Sequence, residues 1–228
     1  MKQPQKTMVF DLDGTLIDSI RDLVPAINRT TALDNIPPVT QADIGHVVGF
    51  GAMKMLERAY QLDGKSLSNQ RADALLPHFL NHYQKHIADH TVFYEGALKT
   101  LDSLASKGWV LAICTNKYER YARQIITLMG EVDRFATITG GDSFAFKKPD
   151  PAHLIETIKL AGGTPERSIM VGDTTNDIMA ANGANIPSIV VDFGYPDKPV
   201  HEMQATTIIN HFNKLEQAAE NIVINYFN

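Results

Sequence analysis

Apolar residues in this chain follow two patterns. Continuous runs occur at Thr7–Leu12, Trp109–Cys114, Thr137–Thr139, Ser168–Val171 and Ser188–Asp192, with Thr206–Ile209 as a candidate sixth. They show little polar alternation, as expected for parallel strands covered on both faces. Helical spacing fills the intervals. Leu98, Leu101, Leu104 and Ala105 repeat up to Gly108, and Tyr121, Ile125, Leu128 and Met129 up to Gly130. His153–Ala161 follows a proline and stops at Gly162-Gly163; Asp177–Gly183 follows a strand, and Asn213–Phe227 closes the chain. Strand and helix in alternation predict an α/β fold, a Rossmann-like doubly wound parallel sheet. Sites in such sheets lie beyond the carboxyl ends of the strands.

Between Ser19 and Phe93 the pattern changes, and no strand is predicted. Ile20, Leu23, Val24 and Ile27 form one helical face. Met53, Met55, Leu56, Ala59 and Tyr60 form a second, and Leu75, Leu76, Phe79, Leu80, Tyr83 and Ile87 a third. This predicts an all-helical cap at 19–92, inserted into a core made of 1–18 and 93–228. The joints fall near Asp18–Ser19 and Phe93–Gly96. Two joints and a separate apolar core are what a hinged lid needs.

Composition narrows the function classes. The 228 residues carry a formal net charge of −5 and a pI near 5.9, which gives no electrostatic footprint for nucleic acid or an anionic membrane. A phosphorylated substrate must then be met by a local positive site. The single cysteine, Cys114, excludes an intramolecular disulfide and fits a reducing compartment. Met1–Lys6 has no signal-peptide core, and no run of about eighteen apolar residues suggests a membrane span. The expected setting is cytoplasmic.

Candidate chemistry sits at the ends of the predicted strands. Asp11 and Asp13 follow the first run, two residues apart, which predicts that both reach one face of the sheet edge. Paired acids are costly unless a cation or ligand uses them. One could attack phosphorus while the other moves protons. Thr115, Asn116 and Lys117 close the second run; they could donate to a phosphoryl oxygen or form an ordinary turn and cap. Lys117 either contacts substrate or faces solvent. A rigid loop, Lys147-Lys148-Pro149-Asp150-Pro151, could fix an ammonium among the acids. Asp173 and Asp177, four apart, could point at one metal, or Asp173 could cap the helix while Asp177 complements its dipole.

The string Phe10–Ser19 resembles the first motif of the haloacid dehalogenase superfamily. Thr115, Lys148 and the Asp173/Asp177 pair are similar to its second, third and fourth motifs, each once and in order. The resemblance implies a core of that fold with a helical cap. It implies that Asp11 forms an aspartyl phosphate and that Asp13 serves as acid and base. Thr115 and Lys148 would hold phosphoryl oxygens. Mg²⁺ would be held by Asp11, the backbone carbonyl of Asp13 and Asp173, with Asp177 in support. Asn116 and Lys117 would contact a small phosphorylated metabolite. Asp13 separates the chain from dehalogenases and phosphonate hydrolases, and the lack of membrane helices separates it from P-type pumps. Thr15 favours a phosphatase over a sugar phosphomutase, which often has Val there.

Among the phosphatases, the resemblance is closest to the phosphoglycolate phosphatase branch. It rests on Gly140–Ser143, Lys147–Pro151, Val171–Ile178, Val48–Gly51 and Gly194-Tyr195. The implied reaction is Mg²⁺-dependent conversion of 2-phosphoglycolate to glycolate and phosphate, by a monomer or homodimer. The alternatives are a phosphatase for another small ester or a nucleotide, a phosphomutase resembling β-phosphoglucomutase, and a non-enzymatic binding module. Gly49 and Gly51 flank a cap turn before a helix, a place suited to the substrate's non-phosphate end. His78, His82, His86 and His90 recur every fourth residue and form a slowly drifting stripe on the last cap helix. It reads as a polar flank, or as a transition-metal pair at i, i+4.

Overall fold

A computed structural model describes residues 5–227; Met1–Pro4, part of the polar amino-terminal segment, and Asn228 lie outside the described residues. Its strands are β1 (Thr7–Phe10), β2 (Ile17–Asp18), β3 (Val92–Phe93), β4 (Val110–Cys114), β5 (Thr137–Thr139), β6 (Ser168–Gly172), β7 (Ser188–Val191) and β8 (Thr207–Ile209). Its α-helices are α1 (Ile20–Thr31), α2 (Gln41–Ile44), α3 (Ala52–Leu62), α4 (Asn69–Lys85), α5 (Ala97–Ser106), α6 (Glu119–Leu128), α7 (Pro151–Leu160), α8 (Thr175–Gly183) and α9 (Leu215–Tyr226).

Six strands form one sheet in the order β5-β4-β1-β6-β7-β8, and every pairing is parallel. The candidate sixth run is thus a strand. Met8 and Phe10 join the large apolar cluster on one face with Leu101, Ile125 and Leu215. Val9 points the other way, to Leu154 and Ile158 of α7 and Ala181 of α8. Both faces are covered, which explains the continuous runs. The strand order reverses at β1, the position that favours a site.

The intervening helices pack on one another: α1 lies against α2, α3 and α4, and α3 against α4. Several details differ from expectation. Val92–Phe93 is a strand, paired antiparallel with Ile17–Asp18, so the two joints are held together by β2 and β3. The boundary between 92 and 93 therefore cuts a two-residue strand. Leu128 is 64% exposed, and the buried face of α6 is Tyr121, Ala122, Ile125 and Ile126. The predicted turn at Gly49 is part of a 3-10 helix, Gly45–Phe50. α4 ends at Lys85, so His86 is its cap, and Ile87 and His90 lie beyond it. Among the described residues, no helix is long and apolar enough to cross a membrane.

Candidate active site

β1 is flanked by β4 and β6, and its ladder runs one residue past the strand, with the Asp11 amide donating to Val171 O at 2.9 Å. Asp11 therefore leaves the sheet at its centre. The chain then turns: the amides of Thr15, Leu16 and Ile17 all donate to Leu12 O. Asp13 thus sits in a turn, not on the strand, and the predicted period-two relation between the two acids does not hold. Gly14 is required here. Its φ is +82°, and a Cβ would lie 2.2 Å from Asp173 Oδ2.

Asp11 is buried. Its Oδ1 accepts from the Leu12 amide at 2.7 Å and lies 3.0 Å from Lys148 Nζ. Lys148 Nζ also donates to Asp177 Oδ1 at 2.6 Å, with 1% of the Lys148 side chain exposed. A loop capped by Asp150, which accepts from the Ala152 amide at 2.9 Å, leads into α7 and holds this lysine.

At the end of β6, Asp173 Oδ1 accepts from Thr15 Oγ1 and Oδ2 from the Tyr195 amide, each at 2.8 Å. Thr174, not Asp173, is the N-cap of α8. Asp177 completes the capping box, its Oδ2 accepting from Thr174 Oγ1 (2.8 Å), Thr174 N (3.0 Å) and Asp173 N (3.2 Å). Asp177 thus caps a helix and pairs with Lys148 at once.

Asp11, Asp173 and Asp177 each offer an oxygen within 4.8 Å of the others, and all three are buried. Burial pushes the Asp11 carboxyl well up, Lys148 pulls it back, and Asp177 and Asp13 push it further. Burial, then repulsion from Asp177 and Asp11, also raises Asp173. Lys148 is held charged: burial pulls its pKa down, but Asp11 and Asp177 push it up by more. One ammonium against three carboxylates leaves a deficit of positive charge. Oxygen-only donors suit a hard divalent cation. Asp177 is the acid nearest the Lys148 ammonium, at 2.6 Å against 3.0 Å for Asp11, and its other oxygen caps α8, whereas Asp173 makes no ion pair among the described residues; Asp11 and Asp173 are therefore the better ligands.

Asp13 faces the other side of the site. Its oxygens accept from Lys117 Nζ at 2.7 and 2.9 Å, and Ser19 Oγ donates to Oδ1 at 2.5 Å. Only 8% of the Lys117 side chain is exposed, so the solvent-facing reading is wrong. The Tyr83 ring of α4 lies 4.9 Å from the same ammonium. Thr115 is buried at the end of β4, its Oγ1 accepting from the Lys117 amide at 3.2 Å. Asn116 Nδ2 donates to Lys148 O at 3.0 Å and Gly49 O at 3.1 Å. Asn176 Nδ2 also donates to Gly49 O, at 3.1 Å. Gly49 is therefore held by the loop after β4 and the first turn of α8, and a Cβ there would lie 2.7 Å from Thr174 Cγ2. Gly51, with φ +92°, caps α3. It borders a cavity of about 100 Å³ with Asp13, Asn116, Lys117, Phe79 and Tyr83.

Sequence reasoning missed four contributors. Thr15 and Ser19 stood inside the quoted string but were given no partner. Tyr195 donates its amide to Asp173. Its hydroxyl donates to Asp18 Oδ1 at 2.5 Å and accepts from the Ser19 and Ile20 amides at 3.0 and 3.2 Å. Tyr83 was read only as part of an apolar helix face.

Residues 8–191 match the model of the haloacid dehalogenase-like hydrolase family. The chain is 45% identical over 210 residues to a phosphoglycolate phosphatase from Agrobacterium fabrum, covering 92% of this chain and 90% of the relative. It is 43% identical over 217 residues to one from Mesorhizobium japonicum, covering 95% and 96%. A crystal structure of a predicted phosphoglycolate phosphatase from Haemophilus somnus is similar at a TM-score of 0.87 and 27% identity, covering 96% of this chain and 99% of the other.

Proposed function

This chain belongs to the haloacid dehalogenase-like hydrolase family, and from that premise we propose that it hydrolyses small phosphate monoesters, with 2-phosphoglycolate as its preferred substrate. The observation that carries this reading is the buried cluster of Asp11, Asp173 and Asp177 around Lys148 at the centre of the sheet edge. Identity of 43–45% to two phosphoglycolate phosphatases over nearly the whole chain supports the choice of substrate.

Asp11 and Asp173, with the Asp13 backbone carbonyl, would hold Mg²⁺, which when bound supplies positive charge to the phosphoryl oxygens. Asp11 attacks phosphorus, and the bond from phosphorus to the ester oxygen breaks. Asp13 gives that oxygen a proton, and the phosphoryl group is left on Asp11. Asp13 then takes a proton from water as the water oxygen attacks phosphorus, and the Asp11 carboxylate is released. Lys148 and Thr115 stabilise the equatorial oxygens. Asp177 fixes Lys148 and the start of α8.

Residues 19–92 act as the cap, closing over the site to exclude water. A cavity of about 100 Å³ beside Asp13 suits a small substrate. Gly51 borders it at the start of α3. The first amides of that helix lack intrahelical partners and would receive the substrate carboxylate. Asn116 and Lys117 complete this end. Burial raises the Cys114 thiol to about 11, an inert group consistent with a cytoplasmic protein.

The test is a turnover screen over 2-phosphoglycolate, other small phosphate esters, nucleotides and β-glucose 1-phosphate, with and without MgCl₂. The highest kcat/KM is expected for 2-phosphoglycolate, and only with the metal. Preference for another ester would overturn the substrate. Isomerised sugar phosphate in place of free phosphate would make the chain a mutase.

A further inference from the structure

A second cavity, of about 630 Å³, lies outside this site, where the end of α1 meets α4. Arg29 and Thr30 border it from α1, and His78, His82, Lys85 and His86 from α4 and its cap. α4 is therefore two-sided. Phe79, Leu80 and Tyr83 line the cavity at Asp13, while the histidine face lines this one.

The charge here is unbalanced. No carboxylate lines the groove. Arg71, Lys107, Arg123 and Arg134 are all paired with acids. Arg29 and Lys85 make no ion pair among the described residues. Burial, then the positive charges of His86, Arg29 and Lys85, lower the His82 pKa, and no carboxylate offsets them. His82 Nδ1 is buried without a partner. The His86 ring lies 4.7 Å from that of His82, and its Nδ1 is held by Asp89 Oδ2 at 2.7 Å. A helix dipole favours a cation in a last turn, which accounts for Arg29 and Lys85 singly. It does not require cations from two helices to converge on one concavity with three histidines, where among the described residues the one acid paired with a lining side chain is Asp89, on His86.

We propose that this groove is a second anion-binding site, for a small phosphorylated or polycarboxylate molecule. Arg29 offers a planar fork of donors and Lys85 a point charge. The imidazoles of His78, His82 and His86 add further donors. A bound anion would bridge α1 and α4. The same helices carry Leu23 and Tyr83 to the cavity at Asp13.

Inorganic phosphate is the probe, titrated into the metal-free full chain while the histidine imidazole resonances are followed by NMR. The His82 and His86 signals should shift and saturate, while those of His201 and His211 should not. In an Arg29→Gln/Lys85→Gln variant, affinity read from these signals should fall by about tenfold or more. An Arg29→Lys variant, which keeps the charge, should retain binding. Inhibition of turnover by phosphate should be the same in all three proteins, which separates this groove from the site at Asp11. Non-saturating shifts, or equal saturation in the charge-removed variant, would overturn the proposal. So would a response to ZnCl₂ but not to phosphate, which would make the stripe a metal site.

Discussion

The Lys117 ammonium lies 2.7 and 2.9 Å from the two carboxylate oxygens of Asp13 and stands over the Tyr83 ring. One cation thus joins the turn after β1, the loop after β4 and the helix α4. Burial pulls the Lys117 pKa down, but Asp13 and then Tyr83 push it up by more, so the lysine stays charged. The acid proposed to move protons is therefore held by a buried partner that also touches the helical segment.

Breaking this pair is expected to cost more than removing it. With side chains only 8% and 9% exposed, Lys117→Gln leaves a buried carboxylate with Ser19 alone, a loss of about 3–5 kcal/mol. Asp13→Asn together with Lys117→Gln should cost less than the sum of the singles, by about 1–3 kcal/mol. Urea unfolding of the four proteins measures this coupling. Additive losses would mean that the contact contributes nothing in solution.

Asp11→Asn should separate activity from stability. Turnover should fall by roughly a thousandfold or more, because an amide cannot replace the carboxylate as nucleophile. In EDTA the same variant should melt higher than the parent at about pH 8, since it removes one of three mutually repelling buried acids; each kcal/mol gained raises Tm by about 2–4 °C in a chain of this size. Retained turnover would remove Asp11 as nucleophile. A lower metal-free Tm would mean that its contact with Lys148 outweighs the repulsion.

The same repulsion makes metal and proton competitors. Burial chiefly raises Asp11 from 3.8 to about 7, so the native state holds this proton more tightly than the unfolded chain does. Its contribution to metal-free stability is full below 3.8 and is lost as pH rises through about 7. A divalent cation offsets only the ionised form. The Tm gain from MgCl₂ over EDTA should therefore be small near pH 5 and larger near pH 8. Equal gains at both values would argue against metal binding at Asp11.

What the sequence made legible follows from local pattern. Buried parallel strands must be apolar on both faces, so the runs at Met8–Phe10 and Ile169–Val171 stood out, and the acids that follow them marked the site. Contacts set by distant segments left no such trace. β2 and β3 have two residues each, too few for any periodicity. For Lys117, substrate contact and solvent exposure both stayed open because its partner lies 104 positions away. Tyr195 reaches both Asp173 and the start of α1 only because β7 runs beside β6. The histidine stripe broke where α4 ended, since regular spacing predicts a face only as far as the helix continues.

Asp177 was expected to support the metal, and its contacts give it a larger share of the fold. It caps α8 through three donors and holds the Lys148 ammonium at 2.6 Å. Asp177→Ala loses the second half of the capping box, which leaves the Thr174 amide without its acceptor. It also leaves Lys148 buried beside Asp11 alone, and breaking such a pair costs about 3–5 kcal/mol. Its loss of stability should exceed that of Asp173→Ala, which gives up two hydrogen bonds but also relieves repulsion. Metal binding should rank in the opposite order. Isothermal titration with MgCl₂ should find Asp173→Ala the weaker binder, and urea unfolding should find Asp177→Ala the less stable. If Asp173→Ala is instead the worse in both measurements, Asp177 is not the keystone of this corner and its contacts with Lys148 and α8 are dispensable.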